Sequence, residues 1–155
     1  MQTFFVILAG NFLGSKFGLI SQVVYLSIGL IGLPIFANGG GPGYIFQPTF
    51  GYLLACPIAA YIAGFAGQIT LDKFRDQNIL TTKVFYKLLF INFVSTLAIF
   101  LIGVIYLYIN VNILLGKQFS FNKAFWSGFI VFLPGDVVKV ILASYIFIKL
   151  QKIIK

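Results

Sequence analysis

From Leu88 to Ile109 the chain carries no charged side chain. About 20 predominantly apolar residues are what an α-helix needs to cross the hydrocarbon core of a bilayer. In that medium every backbone N–H and C=O must be satisfied internally, which leaves packed helices or a closed barrel. Further apolar runs fall at about 3–13, 19–36, 49–69 and 124–150. Each is continuous, with Gly and Pro in the interior, whereas barrel strands alternate. The reading is an all-α integral membrane protein, a bundle of about five transmembrane helices forming one domain over residues 1–155. Composition agrees, with 60% apolar and 9% charged residues against about 45–50% and about 25% in soluble domains.

Charge then sets orientation. Eleven Lys/Arg oppose three Asp/Glu, for a net charge of +8. The bases lie between apolar runs and share no face, which points to lipid headgroups and topology rather than nucleic acid. Lys16, Lys73, Arg75, Lys83, Lys87, Lys149, Lys152 and Lys155 fall on one side, and only Lys117 and Lys123 on the other. The positive-inside rule makes the first side cytoplasmic, with the C-terminus on it, in a multi-pass protein of the cell membrane. Five spans then leave Met1 on the outer side, and a preceding helix would restore an even count. Met1-Gln2-Thr3-Phe4 has no basic n-region and does not read as a cleaved signal peptide. The absence of His and the single Cys56 remove His-dependent triads, His-ligated metals and an intrachain disulfide; no metal or cofactor is expected.

Two stretches shape the bundle. Gly51, Ala55, Ala59, Ala63 and Gly67 recur at four-residue spacing, a smooth ridge for close helix approach inside the bundle. Gly10, Gly14 and Gly18 repeat the interval, with Gly14 and Gly18 expected to form a turn. Pro57 is expected to kink its span. Residues 37–48 join the second and third spans on the outer side and hold four glycines and Pro42. A phosphate loop is excluded, because no Lys-Ser/Thr follows. A flexible connector and a lid or re-entrant segment remain evenly balanced, with Tyr44 and Phe46 arguing for the lid.

The segment Phe132-Leu133-Pro134-Gly135-Asp136-Val137-Val138-Lys139 carries the chemistry. An ionisable group near the middle of a span costs roughly 2.5–3.5 kcal/mol on insertion scales. Asp136 and Lys139 are three apart and share a helix face, so they can pair with one another. Alternatively both face a polar cavity and grip a small ligand, with Pro134-Gly135 loosening the helix beside them. Asn92, Ser95 and Thr96 either line the same cavity or bond across helices. An acid–base enzyme ranks low, because no nucleophile, metal ligand or oxyanion arrangement accompanies the pair.

Several blocks in chain order are similar to the BioY family, the biotin-binding S components of energy-coupling-factor (ECF) transporters. They are Gln2 to Gly10, Leu30-Ile31-Gly32-Leu33-Pro34-Ile35-Phe36, Gly39 to Tyr44, Pro48 to Leu54, and Leu133 to Lys139. The chain departs from the pattern at Phe50, where the family has Gly before a Gly-Tyr pair. The resemblance implies a six-helix fold with both termini cytoplasmic. The runs here would be its second to sixth helices, and Met1 an internal start or the edge of a truncation. It implies biotin as transported ligand, entering from the outer side beneath the glycine loop. Asp136 would accept from ureido N–H groups and Lys139 donate to a carbonyl or carboxylate. Thr49, Tyr52 and Asn92 would add polar contacts, and Tyr44 and Phe46 would cover the apolar ring. A T component and paired ATPases would drive transport. An S component for another small vitamin, or a truncated and non-functional chain, are the alternatives.

Overall fold

The computed structural model describes residues 1–77, 82–114, 116 and 118–153. Its long helices are α1 (Gln2–Ile31), α2 (Phe50–Gln77), α3 (Thr82–Ile109) and α5 (Leu133–Ile153), with a short α4 (Phe121–Phe125) between the last two. There is no named strand among the described residues, as the apolar runs require. Lys117, Lys155 and Asn78 lie outside the described residues.

By length, four helical segments can cross a membrane: Gln2–Ile31, Phe50–Asp72, Lys83–Ile113 and Phe121–Gln151. The first is two arms. At Gly14 the backbone takes φ 77°, ψ 174°, which breaks the helix. A Cβ built on Gly18 would stand 2.9 Å from the Gly10 Cα, although eight residues of straight helix rise about 12 Å. The chain therefore folds back on itself at Gly14, and Gly10 and Gly18 face each other across the hairpin. The arms, 2–13 and 15–31, correspond to the first two expected runs. Gly14 alone makes the reversal; Gly18 is packing.

α2 is the centre of the bundle. Ala55, Ala59 and Ala63 are fully buried, and the flanking glycines admit neighbours where a side chain would collide. Gly51 lies under the Tyr106 ring of α3, and Gly67 against the Asn11 backbone of α1. The four-residue ridge is thus an internal packing surface, as expected. A second row, Ala60 and Gly64, receives Gly10, Gly14 and Ser15 of the hairpin. Buried polar side chains tie the helices across these faces. Ser95 Oγ donates to the Ala59 carbonyl at 2.6 Å, Asn92 Nδ2 to Ser144 Oγ at 2.9 Å, and Ser15 Oγ to Gln68 Oε1 at 3.0 Å. Outward-facing Phe17, Ile31, Phe90, Leu101 and Val131 stay exposed, which suits contact with lipid.

The fifth run is irregular in its first half. After α4 comes a π-turn, Trp126–Ile130, and the α-helix resumes only at Leu133. Pro134 falls just after the π-turn, inside a helical run that continues from Phe121 to Gln151, where a missing N–H suits an irregular ladder. Asp136 lies in the next turn, its N–H bonded to the Phe132 carbonyl at 3.1 Å.

Candidate binding site

The glycine-rich stretch is a folded lid. Gly39 and Gly41 adopt φ near 105° and 106°, a conformation that side chains resist. With them in place, Phe36 and Gly39 exchange backbone hydrogen bonds of 2.9 and 3.1 Å, and the Gly41 N–H reaches the Gly29 carbonyl at 2.7 Å. A 3-10 turn, Pro42–Phe46, follows. Its carbonyls are held from α3 and the π-turn that follows it (Asn110–Leu114): Tyr106 Oη donates to Ile45, and Asn110 Nδ2 to Phe46 at 3.1 Å. Beneath it, the rings of Phe36, Tyr44 and Phe50 meet in sequence, the first pair tilted and the second edge-on, with centroids 4.7 and 6.4 Å apart. Phe50, the departure from the family pattern, fills this aromatic cluster between Tyr44 and Tyr106.

Under the lid lies a cavity of about 320 Å³, the size of a small-molecule site. The lid contributes Ala37, Asn38 and Tyr44; the start of α2 contributes Tyr52, Leu53 and Cys56, with Thr49 just before it. α3 adds Ile99 and Phe100, and the last run adds Phe132, Asp136 and Lys139. Met1, Gln2 and Thr3 complete the wall. Apolar surface predominates, with polar groups gathered at a few points.

Asp136 and Lys139 are paired, with Lys139 Nζ 2.5 Å from Asp136 Oδ1. Asp136 is buried, with 7% of its side chain exposed, whereas Lys139 retains 27%. Both face the cavity. Mutual pairing and a cavity-facing role therefore coexist: the pair cancels its own charge and presents an acceptor and a donor one turn apart.

Five of the seven expected site residues meet here: Asp136, Lys139, Thr49, Tyr52 and Tyr44. Tyr52 Oη donates to the Gly128 carbonyl of the π-turn at 2.8 Å, and its ring fits between Gly103 and Gly128. Its hydroxyl thus secures the irregular segment leading to Asp136, and its ring is the cavity wall. Phe46 is 63% exposed and does not line the cavity. Asn92 also lies off the cavity, joining α3 to α5 through Ser144. Sequence reasoning missed Gln2, Asn38, Cys56, Phe100 and Phe132. Two of them were within reach: Thr49, Tyr52 and Cys56, and likewise Phe132, Asp136 and Lys139, follow the three-to-four spacing of one helix face.

The model of the BioY family matches residues 1–155. The chain is 35% identical over 155 residues to the "Probable biotin transporter BioY" of Lysinibacillus sphaericus, covering 100% of this chain and 74% of that one. It is 37% identical over 152 residues to the protein of the same description from Pyrococcus horikoshii, covering 97% and 78%. The "Biotin transporter BioY" of Lactococcus lactis is 30% identical over 155 residues, with 98% and 74% covered. The fold is similar to the crystal structure of the S-component for biotin from an ECF-type ABC transporter. The TM-score is 0.78 at 29% identity, over 97% of this chain and 73% of that one.

Proposed function

The chain belongs to the BioY family, and from that premise we propose that it takes up biotin through the cavity beneath the glycine lid. It is a multi-pass membrane transport subunit and not an enzyme. The observation that supports the site is the convergence of the lid, the start of α2 and the Asp136–Lys139 pair on one cavity.

Biotin offers two ureido N–H donors, a carbonyl acceptor, an apolar thioether ring and a carboxylate. Asp136, whose Oδ2 is outside the bond to Lys139, accepts from ureido N–H. Lys139 has three donors and gives one to a carbonyl or carboxylate while keeping its bond to Asp136. In an apolar cavity such charge-assisted bonds are about twice as strong as neutral ones. Thr49 adds a polar contact, and Tyr44, Tyr52 and Phe100 flank the apolar ring. The lid faces the outer side and the C-terminus the cytoplasm, following the Lys/Arg asymmetry. A T component and paired ATPases supply the energy, in keeping with the S-component fold.

Calorimetry on the solubilised protein tests this reading. Tight biotin binding is expected, with Asp136→Asn and Lys139→Ala each weakening it by roughly tenfold or more, the scale of one lost charge-assisted bond. Unchanged affinity in both variants would remove the pair from the site.

A further inference from the structure

At the opposite end of the bundle a smaller cavity, about 120 Å³, opens between α2 and α3. Thr70, in its wall, lies about 21 Å along α2 from Cys56, so the two cavities are separate. The lining divides by depth. Lys83 and Lys87 stand where the α3 span begins, and Ala66, Ile69 and Ile91 lie further into the bundle.

Lys83 and Lys87 are one turn apart on the same face, and like charges at that spacing repel. An anion between them relieves the repulsion. Thr70 Oγ1, buried beside them, is turned back on the Ala66 carbonyl at 2.8 Å and can rotate toward such a group. A free anion would leave the apolar side of the cavity without a partner. A molecule with a phosphate at one end and a hydrocarbon chain at the other matches both sides at once.

We propose that this cavity binds an anionic glycerophospholipid, its phosphate between Lys83 and Lys87 and an acyl chain along Ile69 and Ile91. Basic pockets between membrane helices on the cytoplasmic side suit such headgroups, and these two lysines belong to the positive side of the chain. The site is independent of the biotin cavity.

Native mass spectrometry of the full chain in mild detergent, titrated with phosphatidylglycerol and with phosphatidylcholine, tests the proposal. The protein is expected to retain phosphatidylglycerol roughly tenfold better, from two lysines acting near the phosphate. Lys83→Gln/Lys87→Gln abolishes that preference and leaves biotin binding intact. Lys16→Gln, which removes a charge from the same membrane side, preserves it, and Ile91→Trp, which fills the apolar half, lowers retention. Equal retention of the two lipids overturns the proposal. So does an equal loss in the Lys16 variant, or displacement of the lipid by millimolar inorganic phosphate.

Discussion

Asp136 and Lys139 pair with one another and still face a cavity, so a substitution in either acts on the fold as well as on the proposed site. Removing Lys139 alone leaves a buried carboxylate without its partner, at a cost of about 1–3 kcal/mol. Removing both charges takes away that penalty together with the pair. Lys139→Met is therefore expected to melt earlier than wild type. Asp136→Asn/Lys139→Met should recover most of the loss, and both variants should bind biotin more weakly than wild type by roughly tenfold or more. Melting followed by size-exclusion chromatography, beside calorimetry, checks the order; a double variant less stable than Lys139→Met would contradict it. The pair itself was legible from sequence, because a charge in an apolar run has few uses. Its simultaneous exposure to the cavity was not, since that depends on the π-turn at 126–130 setting the rotation of α5. Asn92 illustrates the converse. Its burial was readable, but its partner Ser144 is 52 residues away, and no local pattern names it.

Among the elements, the α1 hairpin depends on one dihedral angle. Gly14 holds φ 77°, ψ 174°, a region that is almost exclusive to Gly. Gln68 also packs 2.8 Å from where a Cβ would be. Gly14→Ala is expected to destabilise the protein by about 1–3 kcal/mol, visible as a lower melting temperature, whereas Gly43→Ala, with open space around it, should be near neutral. Equal melting of the two variants would show that the reversal tolerates a side chain. The apolar runs fixed where helices lie, and the Gly14-Ser15-Lys16 cluster marked the turn. The close meeting of Gly10 and Gly18 emerges only once the arms are antiparallel. The lid was undecided at sequence level for a similar reason. Its glycines permit many conformations, and the residues that select one, Tyr106 and Asn110, are about sixty positions further on.

At the scale of the molecule, the cavity lies at one end of the bundle and the Lys83–Lys87 pair at the other. Cys56 is the single cysteine of the chain, 2% exposed and bonded through its thiol to the Tyr52 carbonyl at 3.2 Å, so it is shielded; Asn38, exposed at the rim of the cavity, is the better place for a probe. In sealed right-side-out vesicles of Asn38→Cys/Cys56→Ser, a small membrane-impermeant thiol reagent is expected to modify the introduced thiol from outside. Biotin should slow that reaction, and inside-out vesicles should resist it. Intact-mass measurement over time reads the outcome; modification from the inner face would reverse the orientation.

The acid and base of the proposed site are carried by a single helix, which has a mechanical consequence. A clasp whose two jaws ride on one rigid rod does not open when that rod tilts; only the opposing surface can withdraw. Cargo release on reorientation should accordingly register as a widening between α5 and α2, with the Asp136-to-Lys139 spacing conserved throughout the cycle.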